Sequence, residues 1–200
     1  MTAPELYEGQ DVLDACRAAV SGGATAVQIR VKHSNAAELC RTTERVMRVV
    51  EVPVYVNDRL DVALAAGAHG VHLGADDLPA DRVRAIVPSA LRVGLSVGSD
   101  IEARDATEAA AHYWSLGPFA RTLSKADAGA PLGVKGFRNL GRLAPAGTPL
   151  IGIGGIGEQN VSDVVSAGAR GVAIISAIFG ADDIERATRR IRDALDASLR

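Results

Sequence analysis

The chain has 200 residues, with 22 Lys+Arg against 24 Asp+Glu and a formal net charge of -2. With 48% hydrophobic and 23% charged residues it reads as a globular chain able to bury one sizeable core. The near-balance of charge excludes nucleic acid or an anionic membrane surface as its main partner. No apolar run approaches a membrane span, and Met1–Gln10 lacks the basic-then-apolar layout of a signal peptide. Cys16 and Cys40 show no metal-ligand spacing, so a reducing cytoplasm is the expected compartment.

Apolar runs and amphipathic stretches alternate along the whole length. Strands are predicted at Ala26–Val31, Val52–Asn57, Gly70–Leu73, Arg92–Val97, Tyr113–Leu116, Leu150–Gly154 and Val172–Ser176. Helices are predicted at about Gly9–Ser21, then Ala36–Val49, Asp81–Val87, Ile101–Ala111, Val161–Ala167 and Ile184–Leu199. Such alternation implies parallel strands with helical crossovers, within a single domain over residues 1–200. Ser21-Gly22-Gly23, Ala66-Gly67 and Ala167-Gly168 are helix stops that use glycine's left-handed conformation. No Gly-x-Gly-x-x-Gly turn marks a dinucleotide fold, and the pattern fits a (β/α)₈ TIM barrel. Seven strands are convincing, while Met1–Glu8 is short, polar and proline-containing. The first barrel strand is therefore expected to be degenerate or missing.

In a barrel the active site lies at the carboxyl ends of the strands. The first run places Gln28, Arg30 and Lys32 on one face, and Val27, Ile29 and Val31 on the other. Two cations and an amide pointing inward call for an anion, and a phosphate or diphosphate suits arginine's planar fork. Internal salt bridging is the plainer alternative. Asn57-Asp58-Arg59 and Asp76-Asp77 follow the next two strands on the same rim. Each carboxylate alone would serve as a helix cap, but together, beside a cationic strand, Asp58, Asp76 and Asp77 favour Mg²⁺ held with substrate phosphates. His72, His33, His69 and His112 lack metal spacing and are assigned no chemistry, and Trp114 is read as packing. The connection from Pro118 to about Leu132 is long enough for a binding loop and carries Thr122, Ser124 and Lys125. Gly154-Gly155, and Ile175-Ser176 after the last strand, occupy the customary phosphate position of barrels.

In this order the motifs resemble the thiamine-phosphate synthase family, from about Ala15 to Phe179. Val27-Gln28-Ile29-Arg30-Val31-Lys32 is similar to the family's V-Q-L-R-x-K strand, and Asn57-Asp58-Arg59 to its N-D-R. Val71-His72-Leu73-Gly74 with Asp76-Asp77-Leu78-Pro79 resembles V-H-L-G-x-x-D-L-P, and Gly117-Pro118 through Lys125 resembles G-P-x-x-x-T-x-T-K. The resemblance implies a Mg²⁺-dependent transferase of thiamine biosynthesis. It would join hydroxymethylpyrimidine diphosphate to thiazole phosphate and release pyrophosphate. It also implies that Gln28, Arg30, Lys32, Asn57 and Lys125 hold the pyrimidine diphosphate and that Asp58 and Asp77 hold Mg²⁺. Ser96 would contact the pyrimidine, and Thr122, Ser124, Gly154, Gly155, Ile175 and Ser176 would hold the thiazole phosphate. Arg30, Lys32, Ser96 and Lys125 form the implied catalytic set. The expected partners are these small molecules, with a homo-oligomer left open.

The chain departs from the family pattern at its missing L-Y-L-V-T-D opening, at Val31, at Ser124, and at Gly98 where S-x-H is usual. Two alternatives stay open: a thiazole tautomerase-like relative, against which Gly98 counts, and an inactive phosphate-binding barrel.

Overall fold

The computed structural model describes residues 1–2, 11–31, 34–122, 124 and 129–200. Among them seven strands form one sheet in chain order, each parallel to the next. They are β1 (Val27–Ile29), β2 (Val54–Asn57), β3 (Gly70–Leu73), β4 (Arg92–Val97), β5 (Tyr113–Leu116), β6 (Leu150–Ile153) and β7 (Gly171–Ala173). The helices are α1 (Val12–Ser21), α2 (Ala36–Met47), α3 (Leu60–Ala65), α4 (Ala80–Ile86), α5 (Asp100–Glu108), α6 (Gly133–Gly141), α7 (Val161–Ser166), α8 (Ser176–Phe179) and α9 (Ile184–Ser198). No described helix is long and apolar enough to cross a membrane.

Side-chain alternation sorts the strands into two surfaces. Val27, Ile29, Val54, Val56, Val71, Leu73, Val93, Val97, Trp114 and Leu116 are buried in the layer between sheet and helices. The other face is more polar and carries Gln28, Tyr55, His72, Tyr113 and Ser115. Two glycines on that face make room for aromatic rings. A Cβ at Gly70 would stand 2.5 Å from the Tyr55 ring, and one at Gly94 would stand 2.0 Å from the Tyr113 ring. The two tyrosines then meet edge to face with centroids 5.9 Å apart.

Four helices begin at side chains that accept a first-turn amide: Asp11 on α1, Asn35 on α2, Ser99 on α5 and Asp183 on α9. Each cap contributes about 1 kcal/mol. Helix α3 ends at the expected Ala66-Gly67 stop, and α6 and α8 are additions to the sequence reading. Glycine-rich α6 hid its pattern because glycine disfavours helix, yet buried Phe137 and Leu140 anchor it. Strand β1 is shorter than the expected Ala26–Val31, and just beyond its end the Arg30 amide donates to the Thr2 hydroxyl at 2.9 Å.

The two ends of the sheet come together. Helix α1 packs on α9, where Arg189 Nη2 donates to Ser21 O at 2.9 Å, and a Cβ at Gly22 would stand 2.4 Å from Glu185 O. Between the edge strands, the Met1 ammonium donates to Ile174 O at 3.0 Å and Thr2 N donates to Gln28 O at 2.9 Å. The sheet is therefore curled and TIM-barrel-like, with β1 and β7 as its facing edges.

Candidate active site

The C-terminal ends of β1, β2 and β3 carry the first group of candidate residues. Gln28 points to the interior, half-buried, and hydrogen-bonds the Tyr113 hydroxyl. Arg30 lies one residue beyond β1, with its backbone held at both N and O by Thr2 Oγ1, at 2.9 and 3.2 Å. Asn57 ends β2 opposite His72. Asp58 follows in a left-handed conformation, φ 65°, with its amide donating to His72 O at 2.8 Å. Few non-glycine residues adopt that conformation, and here it sets an exposed carboxylate on the rim.

Neither metal candidate is a helix cap. Arg59 is the N-cap of α3 and pairs with Asp61, and Pro79 is the N-cap of α4. That pairing raises the Arg59 pKa and lowers that of Asp61. Asp77 instead accepts from Gly74 N at 2.6 Å, in the loop after β3. A carboxylate has about four acceptor positions, so this bond leaves capacity for a cation. Among the described residues no group of three or more His, Cys, Asp or Glu could hold a metal alone. Two carboxylates on neighbouring loops fit the mode in which Mg²⁺ relies on substrate phosphates for further ligands.

The interior connects these loops to Ser96. His72 Nε2 lies 2.9 Å from Ser96 Oγ, and His72 Nδ1 lies 2.9 Å from Tyr113 Oη. Burial, then the neighbouring Tyr55, pushes the Tyr113 pKa well above its ordinary value, while the bond from Gln28 opposes them. The phenol stays protonated and can donate to Nδ1, leaving Nε2–H to donate to Ser96. Ser96 then has its own hydroxyl proton to offer a ligand. His69 and His112 are different: their Nδ1 atoms accept from Val54 N and Val93 N at the opposite ends of the strands.

A second group gathers after β5, β6 and β7. Thr122, Ser124, Gly154, Gly155, Ile175 and Ser176 line one small pocket. Phe119 N donates to Ile153 O at 2.8 Å and Ala120 N to Gly154 O at 2.9 Å, fastening the β5 loop to the β6 turn. Gly155, at φ 64°, could not be replaced without strain, since a Cβ there would stand 2.5 Å from Arg121 O. Thr122 Oγ1 accepts from Ser124 N at 3.2 Å, which orders the loop beside the turn. The pocket thus offers three hydroxyl side chains, of Thr122, Ser124 and Ser176, and a glycine turn at one point, the donor set of an oxyanion site.

Lys32 and Lys125 lie outside the described residues. His72 and Tyr113 are the participants that the sequence reading passed over. The only available signal was a polar residue in an otherwise apolar strand, and that does not distinguish a network from a solitary core histidine.

A curled parallel α/β sheet with polar groups on its C-terminal rim places the chain among TIM-barrel-like proteins whose site is built on the strand ends. The thiamine monophosphate synthase family model matches residues 1–178. A thiamine-phosphate synthase of Moorella thermoacetica is 42% identical over 194 residues, covering 96% of this chain and 91% of that protein. Another, from Methanoculleus marisnigri, is 41% identical and covers 99% of this chain and 94% of that one. Among solved structures, thiamine phosphate pyrophosphorylase from Pyrococcus furiosus superposes with a TM-score of 0.89 at 33% identity, covering 100% of this chain and 95% of that chain. A 3-hexulose-6-phosphate synthase, at 21% identity and TM-score 0.69, shares the fold alone. The chain belongs to the thiamine monophosphate synthase family.

Proposed function

We propose that this protein is a thiamine-phosphate synthase, joining hydroxymethylpyrimidine diphosphate to thiazole phosphate with release of pyrophosphate. The observation that carries the reading is the pocket uniting Thr122, Ser124, Gly154, Gly155, Ile175 and Ser176, on a rim that also carries Arg30, Asn57, Asp58 and Asp77. One group is built to hold a phosphate, the other to hold a diphosphate with a cation.

In this reading Gln28, Arg30, Asn57, Lys32 and Lys125 bind the diphosphate of the pyrimidine substrate. Asp58 and Asp77 hold Mg²⁺, which would neutralise charge on the leaving pyrophosphate. The thiazole phosphate sits in the small pocket, so that its ring nitrogen faces the pyrimidine methylene. Its lone pair forms the new C–N bond as the methylene C–O bond breaks and both electrons leave with pyrophosphate. The protein supplies no nucleophile. Its work is to hold two substrates in line and to stabilise growing negative charge, with Arg30 and the two lysines as cations. Ser96, with its acceptor side engaged by His72, donates toward the pyrimidine side.

The chain is a (β/α)₈ barrel whose first strand is degenerate or missing, a reading supported by Met1 and Thr2 bridging the two edge strands. It works in the cytoplasm, a reading supported by its two free cysteines.

The test is pyrophosphate release from the purified chain, with each substrate alone, with both, and with both plus excess EDTA. Release that needs both substrates and stops with EDTA is the expected result. Release without the thiazole phosphate, or unaffected by EDTA, would overturn the respective part.

A further inference from the structure

Ser115 on β5 is 2% exposed, and its Oγ has no hydrogen-bond partner among the described residues. The buried hydroxyls of Thr43 and Thr188 are satisfied differently. They donate to Leu39 O at 2.8 Å and to Ile184 O at 2.7 Å, each one helical turn back. A strand presents no such carbonyl, because its own are committed to the ladder. A buried hydroxyl left unpaired is a net cost to the fold, so its place asks for a group from outside the chain.

The position of Ser115 says what that group is. Alternation puts it on the interior face with Tyr113, while Trp114 and Leu116 pack in the layer between sheet and helices. Its register partner on β4 is Ser96, so the two serines stand one strand spacing apart, roughly 4.8 Å. Each lies one residue before the C-terminal end of its strand. A directed chain of hydrogen bonds ends beside them. Gln28 bonds the Tyr113 hydroxyl, the phenol donates to His72 Nδ1 at 2.9 Å, and His72 Nε2–H donates to Ser96 Oγ at 2.9 Å. Ser96 therefore has a proton to give, while Ser115 keeps both acceptor positions open. A donor beside an acceptor matches the edge of an aminopyrimidine, where a ring nitrogen accepts and the adjacent exocyclic amine donates.

We propose that Ser115 is a specificity-determining residue that accepts a hydrogen bond from the exocyclic amine of the pyrimidine diphosphate, with Ser96 donating to the neighbouring ring nitrogen. Rotation about the Cα–Cβ bond turns the hydroxyl toward the interior that the residue already lines. An analogue without the amine leaves the buried hydroxyl unpaired and is rejected for that reason. The assignment takes its ligand from the reaction proposed above, and binding without turnover reports it.

The experiment is calorimetric titration of the full chain, with Mg²⁺ and without thiazole phosphate. The ligands are hydroxymethylpyrimidine diphosphate and its analogue with hydrogen in place of the amine. The wild-type chain is expected to prefer the amino compound by at least about 10-fold, the scale of one hydrogen bond. In Ser115→Ala most of that preference disappears, through weaker binding of the amino compound alone. Ser115→Cys keeps the volume but is a weak acceptor, and it should lose the preference too. The Tm of ligand-free Ser115→Ala should rise by on the order of 2–4 °C, because an unpaired buried hydroxyl has been removed. A lower Tm with the preference intact would make the hydroxyl structural and overturn the proposal. So would equal preference in the wild-type and Ser115→Ala chains, or no preference in the wild type. Failure of the reaction itself is a separate result, the absence of pyrophosphate release when the wild-type chain is given both substrates.

Discussion

His72 Nε2 stands 2.9 Å from Ser96 Oγ, and the same ring is fixed on its other side by the Tyr113 hydroxyl. The histidine sets the direction in which Ser96 can donate, and the phenol sets the tautomer of the histidine. Replacing His72 by Ala removes both constraints and leaves two hydroxyls short of a partner. We expect kcat for pyrophosphate release to fall about 10- to 100-fold, with KM for the thiazole phosphate little changed. Stability should fall by about 1–3 kcal/mol from the unsatisfied groups. A fall in stability without loss of kcat would make the network purely structural.

Asp58→Ala and Asp77→Ala should both abolish the Mg²⁺ response of the rate. Asp77→Asn is the sharper variant, since an amide oxygen can keep the bond to Gly74 N while the charge is lost. Titration of the rate with Mg²⁺ should show an affinity at least 10-fold weaker in Asp77→Asn, the scale of about 1.4 kcal/mol. Lys125→Ala should lower the rate sharply. Unchanged rates in Asp58→Ala and Lys125→Ala together would sink the residue assignment.

Gly155→Ala forces a side chain into a left-handed turn and against Arg121 O. The cost of such strain is about 1–3 kcal/mol. The turn can relieve it by moving away from the β5 loop, which would open the pocket shared with Thr122 and Ser124. KM for the thiazole phosphate should rise more than 10-fold, with the dependence on the pyrimidine diphosphate unaffected.

Burial lowers the Met1 ammonium pKa from 8.0 to about 6, against a smaller opposing effect of Cys16. Between pH 8 and pH 6 the unfolded chain then carries a proton that the folded chain lacks. The stability this group contributes is fully present above its unfolded value and is lost as the pH falls through the window. The total is roughly 2–3 kcal/mol. Urea midpoints at about pH 8.5 and 5.5 measure it, and an N-acetylated chain should lack this step. An identical drop in the acetylated chain would assign the effect to other groups.

Cys16 is buried on α1, and burial pushes its thiol up to about 11, so it should resist thiol reagents in the native state. Cys40 on α2 is only partly buried and should be modified first. Mass mapping after brief exposure to iodoacetamide checks the order.

The strand positions of β3, β4 and β5 were legible residue by residue, because buried parallel strands are short apolar runs punctuated by glycine or charge. The pocket group was legible through the glycine pair and the hydroxyls of the long loop, whose chemistry is local. Helix α6 was not legible, because its three glycines mask a helix that Phe137 and Leu140 hold from the core. Neither was the bond by which Asp77 braces Gly74 N instead of capping α4, since a carboxylate before a helix suits either use.

Local order along the chain therefore determined the alternation of strand and helix, the inward face of β1 and the identity of the rim residues. Only the tertiary structure decided how the two ends of the sheet meet, with Met1 bonded to Ile174 O and Thr2 to Gln28 O and Arg30 N. It alone placed His72 between Ser96 and Tyr113. Both outcomes join residues far apart in the chain, whose contact is fixed by the curl of the sheet and by the room that Gly70 and Gly94 leave for tyrosine rings. Periodicity assigns a side chain to a face; closure of the sheet decides which side chains on that face touch.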